Sequence, residues 1–137
     1  MNPEIIMITA GKGYIPVISP IAVDGEGNNL NVNADTAAGV IAISLGAKKL
    51  ISVTDVEGVK LNPEDVNSVI SSFKISDFGR MVEDKIITGG MIPKVEACVK
   101  AVEGGVQSAH IVDGRRPHAL LLELFTDTGV GTMIERG

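Results

Sequence analysis

The chain is poor in aromatic residues, contains a single cysteine and has no block of basic residues. Aromatic residues make up 3% of its 137 residues and tryptophan is absent, so the core has to be built from Val, Ile, Leu and Ala. Such a core is typical of helices packed on a parallel sheet, whose central strands are rich in β-branched residues. The lone Cys98 excludes an internal disulfide and favours a reducing, cytoplasmic location.

Charge and hydropathy exclude further classes of protein. The formal net charge is −5 at pH 7, so neither nucleic acid nor an anionic membrane surface is expected as a partner. The N-terminus lacks the basic-then-apolar pattern of a signal peptide, and no apolar stretch approaches membrane-spanning length. An anionic ligand would therefore have to be bound locally, by backbone N–H groups and a few cationic side chains.

Hydrophobic periodicity predicts an alternation of helices and strands along the chain. Helices are expected at 3–10, 34–45, 76–85, 93–102 and 117–125, and strands at 50–54, 106–112 and 132–134. The β-rich run 14–23 contains two prolines and is expected at a sheet edge, followed by a turn cluster at 24–29. This alternation predicts a single α/β domain over residues 1–137, with a doubly wound, mostly parallel sheet and helices on both faces.

Three junctions between predicted elements carry small polar side chains or glycines. Segment 31–39 (NVNADTAAG) places two amides and a carboxylate at the start of a helix. Thr54 and Asp55 follow a buried strand, and segment 89–94 (GGMIPK) leads into the clearest helix. Because ligands of open α/β sheets bind beyond the carboxyl ends of the strands, we expect the three junctions to converge on a nucleotide and small-molecule site.

Each junction also has an ordinary structural interpretation. Asn33 is a good N-cap and Asp35 a good first-turn acid without any ligand, and Asp55 can simply open a turn. Lys94 is more informative, because a cation in the first turn of a helix opposes the helix dipole unless an anion lies there. A solvated lysine is the alternative. Asn31 is too far from the helix for a capping role and supports a ligand site.

Two other features are interpreted as structural. The segment 11–13 (GKG) is similar to a phosphate-binding loop, but it follows a helix and precedes a strand, so a helix C-cap is expected there. His110 lies in an apolar run and is expected to be a packed, hydrogen-bonded histidine. No spacing typical of a metal site or of a catalytic Ser–His–Asp or Cys–His set is present, so no protein-bound metal is expected.

Four segments taken in order resemble a known family. They are 31–39 (NVNADTAAG), 50–59 (LISVTDVEGV), 87–106 (ITGGMIPKVEACVKAVEGGV) and 110–134 (HIVDGRRPHALLLELFTDTGVGTMI). Together they closely resemble the C-terminal half of the N-acetylglutamate kinases, a branch of the amino-acid kinase family. The resemblance covers nearly the whole chain from Tyr14 onward, and carbamate kinases, aspartokinases and uridylate kinases lack this set of segments.

The resemblance implies transfer of a phosphoryl group from ATP to the γ-carboxylate of N-acetyl-L-glutamate in arginine biosynthesis, with Mg²⁺ held mainly by the phosphates. It implies that Asn31 and Asn33 bind this substrate. Asp35 would orient catalytic lysines, and Lys94 would stabilise charge on the β- and γ-phosphates. The nucleotide site implied by position is lined by Thr54, Asp55, Gly90, Met91 and Lys94.

The C-terminal segment carries a second implication. His110, Glu123 and Gly129 match positions of the arginine feedback site in the arginine-inhibited branch of the family, where a carboxylate can pair with the guanidinium. A solvated helix face is the alternative for Glu123. The family also has an N-terminal half with a lysine and glycine-rich loops, which this chain is expected to lack and a separate chain could supply.

Two other functions stay open. One is a non-catalytic domain that senses nucleotide or arginine. The other is a kinase of the same family that acts on a different carboxylate or carbamate.

Overall fold

The computed structural model describes residues 1–62, 64, 65, 67–126 and 129–137. In chain order the elements are α1 (Glu4–Gly11), β1 (Ile21–Val23), β2 (Asn29–Asn31), α2 (Ala34–Ser44), β3 (Lys49–Thr54), β4 (Ser72–Lys74), a 3₁₀ helix (Ile75–Asp77), α3 (Phe78–Glu83), α4 (Met91–Glu103), β5 (Ser108–Asp113), α5 (Ala119–Phe125) and β6 (Thr132–Glu135). No helix in these ranges is long and apolar enough to cross a membrane.

The central sheet has four strands in the order β3-β5-β6-β4. β5 pairs in parallel with β3 and antiparallel with β6, and β4 pairs in parallel with β6. Two of the three strand pairs are therefore parallel. The predicted α/β class with a mostly parallel sheet is confirmed, and the antiparallel pair at its centre makes the sheet mixed.

Helices cover both faces of this sheet, as predicted. Ala109 and Ile111 of β5 are fully buried and pack in the main core with Val95 of α4. Since successive side chains of a strand point to opposite faces, His110 points away from α4. There it contacts Glu123 of α5. β5 thus lies between α4 on one face and α5 on the other.

The local signals at the ends of the helices explain where they begin. The Asn33 side chain caps α2 by accepting a hydrogen bond of 3.0 Å from the Thr36 N–H, as predicted. α4 begins at Met91, two residues before the predicted start, because Pro93 is tolerated in a first turn whose N–H groups have no helical partner. Gly13 follows α1 with φ +84°, which confirms the C-cap interpretation.

The structure differs from the predictions at several places. Of the run 14–23 only β1 is a strand, and it pairs with β2 in a separate two-stranded hairpin. The helix expected at 76–85 is split into the 3₁₀ helix and the short α3. α5 starts two residues late because His118 adopts a left-handed conformation with φ +60°. β4 was not predicted, since three residues are too few to show a period.

A buried contact between His110 and Glu123 fastens α5 to the sheet. Nδ1 of His110 lies 2.6 Å from Oε1 of Glu123, and its Nε2 lies 2.9 Å from the Ser108 hydroxyl. Oε2 of Glu123 accepts hydrogen bonds from the N–H groups of Val130 (2.7 Å) and Gly131 (3.2 Å). The prediction of a packed, hydrogen-bonded histidine is confirmed, whereas the solvated face considered for Glu123 is wrong.

The same contacts set the ionisation of this carboxyl. Burial raises the pKa of Glu123, but the hydrogen bonds from Val130, His110 and Gly131 lower it by more, so the pKa lies below its ordinary value of 4.5. Glu123 is therefore ionised at neutral pH and its charge contributes to the stability of the fold.

Replacement of Glu123 by Gln is expected to destabilise the chain by about 1–3 kcal/mol at neutral pH, because hydrogen bonds to a charged acceptor are lost. A carboxyl with a lowered folded-state pKa contributes stability above its unfolded pKa of 4.5 and loses it as the pH falls through the folded value. The two proteins should therefore converge in stability below that range.

Urea unfolding of both proteins from neutral to acidic pH measures this difference. Glu26→Gln, in the exposed turn of the hairpin, is the control and should leave the stability unchanged. A destabilisation by Glu123→Gln that is the same at every pH would contradict the prediction.

Candidate functional site

The first turns of α2 and α4 bring Asp35 and Lys94 into contact, although the two residues are 59 positions apart. Nζ of Lys94 lies 3.1 Å from Oδ2 and 3.3 Å from Oδ1 of Asp35. The Lys94 and Asp35 side chains are 21% and 32% exposed, so the pair is shielded yet still reachable by a ligand. The expected convergence of these two junctions is what the structure shows.

The electrostatics of this contact follow from the two helices. Asp35 lies in the first turn of α2, where an acid is favourable, but the first turn of α4 contains no acidic residue. Lys94 opposes the dipole of its own helix, and Asp35 supplies a counter-charge. Because the positive ends of both dipoles face one rim, a further anionic group can be bound there beside the ammonium.

A cleft of about 290 Å³ lies at the carboxyl ends of β3 and β5. It is lined by residues 55–60 after β3, by residues 86–88 and Met91 around the start of α4, and by Arg115 after β5. This is the edge of an open α/β sheet at which ligands bind. Lys94 follows Met91 by one turn on the same side of α4. Neither Lys94 nor Asp35 is among the residues that line the cleft.

The remaining predicted residues are distributed unevenly around this cleft. Asp55 and Met91 line it, whereas Thr54 and Gly90 are only their chain neighbours. Thr54 is the last residue of β3, and its hydroxyl lies 3.3 Å from Oδ1 of Asp55. Gly90 directly precedes α4. Asn31 is exposed at the end of β2.

Sequence reasoning missed several of the cleft residues. Residues 86–88 lie between two helices, where no hydrophobic period singles them out. Glu57 and Lys60 form an ion pair of 2.7 Å on the loop after β3. Arg115 could have been found, because it follows β5 just as Asp55 follows β3, and both strand ends meet at one edge of the sheet.

The loop that forms one wall of the cleft is held by a buried hydroxyl of β6. The Thr132 Oγ1 accepts a hydrogen bond of 2.9 Å from the Val59 N–H and donates one of 2.7 Å to the Ile70 carbonyl. Gly58 next to it has φ +141°, and a Cβ there would lie 2.6 Å from the same oxygen. The loop conformation therefore requires glycine at this position.

Cys98 lies beneath the Asp35–Lys94 pair but takes no part in nucleophilic chemistry. Burial, together with the Asp35 charge and partly offset by Lys94, raises the pKa of Cys98 to about 12. The thiol is therefore protonated at neutral pH and unreactive. Among the described residues no group of three or more His, Cys, Asp or Glu side chains could hold a metal ion.

The three residues matched to an arginine site are brought together on the α5 side of the sheet. A Cβ on Gly129 would lie 2.8 Å from Oε2 of Glu123, and His110 contacts Oε1. Both carboxylate oxygens already have partners within the chain. A guanidinium at Glu123 would therefore have to compete with these internal hydrogen bonds.

Comparison with known proteins gives the chain its family. Residues 4–113 match the model of the amino acid kinase family. The acetylglutamate kinase of Methanothrix thermoacetophila is 70% identical over 134 residues, which are 98% of this chain and 46% of that protein. The acetylglutamate kinase of Methanosarcina mazei is 58% identical over 134 residues, again 98% of this chain and 46% of that protein. The chain thus spans about half the length of the curated relatives it matches.

A solved structure shows the same fold. The N-acetylglutamate synthase of Neisseria gonorrhoeae, complexed with coenzyme A and L-arginine, matches 100% of this chain and 31% of its own with a TM-score of 0.91 and 26% identity. Since the family model covers most of the chain and the curated relatives are highly similar, the chain belongs to the amino acid kinase family.

Proposed function

We propose that the chain is the nucleotide-binding part of an acetylglutamate kinase, which transfers the γ-phosphoryl group of ATP to the γ-carboxylate of N-acetyl-L-glutamate. The high identity to acetylglutamate kinases supports the choice of substrate. The observation that carries the proposal is the contact between Lys94 and Asp35 where two helix N-termini meet. We propose a cytoplasmic location for this step of arginine biosynthesis.

Lys94 supplies the positive charge that phosphoryl transfer needs. Such reactions are catalysed mainly by positioning and by stabilising charge on the transferred group and the leaving phosphates. The ammonium of Lys94 contacts the β- and γ-phosphates, and both helix dipoles act in the same direction. Asp35 orients the amine and is no general base, because a carboxylate substrate has no proton to lose.

ATP lies along the cleft with its triphosphate toward Lys94 and its nucleoside beside Asp55. Mg²⁺ would be held mainly by phosphate oxygens and would neutralise their charge. Such an ion takes one or two carboxylates at most from the protein.

The acyl substrate approaches from the α2 side. Asn31 and Asn33 both precede Asp35 and carry amide donors suited to the carboxylate and acetamido groups of N-acetyl-L-glutamate. The oxygen of Asn33 is used in capping α2, so its amide nitrogen is the group offered to the substrate.

A second candidate function is the sensing of arginine. The synthase structure that matches this chain was solved with L-arginine, and His110, Glu123 and Gly129 form one cluster here. The internal hydrogen bonds of Glu123 count against a preformed arginine site. Phosphoryl transfer is therefore the better supported function.

Lys94→Ala is expected to lower kcat by at least about 10²-fold, because the charge-stabilising group is removed. Steady-state kinetics are measured on a polypeptide of the relatives' full length that contains this chain. Lys100→Ala, on the same helix but exposed and paired with Glu96, is the matched control and should retain activity. Turnover of Lys94→Ala close to that of the control would rule out the proposed role.

Calorimetry on the 137-residue chain tests the nucleotide site by itself. Saturable binding of MgATP is expected, and Gly58→Ala should weaken it because the added Cβ meets Thr132 at 2.6 Å in a left-handed backbone conformation. Gly25→Ala, whose Cβ would meet nothing within 4 Å, is the control. Arginine binding in the absence of any ATP binding would favour the sensor instead.

A further inference from the structure

Arg115 is a residue of the cleft to which the proposed reaction assigns no task. It follows the carboxyl end of β5 and lines the same cleft as Asp55 and Met91. Its side chain is 64% exposed, so it lies at the mouth of the cleft, within reach of an entering ligand.

The Arg115 guanidinium is held in place before any ligand binds. Its Nε and Nη2 donate hydrogen bonds of 2.9 Å to the two carboxylate oxygens of Asp113, and the Arg115 backbone N–H donates another of 2.9 Å to Oδ1. The Asp113 side chain is only 14% exposed and belongs to β5. This two-pronged pairing leaves Nη1 and the flat faces of the guanidinium for other contacts.

The charges at this end of the cleft disfavour phosphate. The pKa of Arg115 is raised above its ordinary value by the hydrogen bond to Asp113, by the charge of Asp113, and by the charges of Asp55 and Glu57. Lys60 is paired with Glu57 at 2.7 Å. Arg115 and Lys60 are thus both paired with carboxylates of the chain, so a triphosphate would have to compete with these pairs.

The apolar lining points to the uncharged part of a nucleotide. The apolar residues Val56, Ile86, Ile87 and Met91 are among those that line the cleft, which suits a flat, weakly polar ring. The triphosphate is favoured instead at Lys94, where two helix N-termini meet. The two ends of the site therefore differ in charge in the way that the two ends of a nucleotide do.

We propose that Arg115, oriented by Asp113, stacks on the base of the bound nucleotide and sets the affinity for its nucleoside end without pairing with its phosphates. A planar guanidinium fixed on one edge can lie flat on an aromatic ring. Asp113 is then a positioning residue. The inference rests on the proposed function, because it requires ATP in this cleft.

The test measures the binding of ATP and of AMP to the 137-residue chain by calorimetry at low and high salt. Arg115→Ala should weaken both nucleotides by the same factor, about three- to thirtyfold, and this factor should not fade in high salt. Asp113→Asn should cause a smaller loss, since the guanidinium remains but is no longer held. Arg116→Ala, the exposed neighbour outside the cleft, is the control and should bind as the unaltered chain does.

Each other outcome overturns a defined part of the inference. A loss for Arg115→Ala that is much larger for ATP than for AMP and fades in high salt assigns Arg115 to the phosphates. If Arg115→Ala binds both nucleotides as tightly as Arg116→Ala does, Arg115 is not part of the site. Failure of the unaltered chain to bind either nucleotide overturns the proposed nucleotide site itself, and the role of Arg115 with it.

Discussion

Burial of one face of α4 is the constraint on which the candidate site depends. Its apolar residues Val95, Cys98, Val99, Ala101 and Val102 are each at most 5% exposed. Rotating or sliding the helix would expose several of these side chains, each worth about 1.5–3 kcal/mol of burial for a large aliphatic residue. Lys94 directly precedes this face and Met91 lies one turn earlier, so the packing that stabilises the domain also positions the ammonium against Asp35.

The two ends of the resulting site differ in charge and polarity. At one end the N-termini of α2 and α4 and the ammonium of Lys94 favour negative charge. At the other end Arg115 and Lys60 are paired with Asp113 and Glu57 beside an apolar wall, and the loop is held by Thr132 of β6. A nucleotide has the same asymmetry. Under the proposed function, this asymmetry is what would orient ATP in the cleft.

Two side-chain pairs differ in burial, and therefore in what a ligand could reach. His110 and Glu123 are 3% and 8% exposed, and the carboxylate is saturated by the ring and by two backbone N–H groups. Asp35 and Lys94 are shielded but reachable, with donors of the ammonium to spare. The first pair stabilises the fold, and only the second can exchange part of its contacts for a substrate.

The sequence by itself determined the α/β class, the buried face of α4, the cap at Asn33 and the position of Lys94 in a first helical turn, because each depends on local period or on helix-end chemistry. Only the tertiary structure decided three other features: the distance between Lys94 and Asp35, the places of Arg115 and residues 86–88 in the cleft, and the antiparallel pairing of β5 with β6. These features join segments far apart in the chain, and their geometry is set by which surfaces pack together, which no local pattern records.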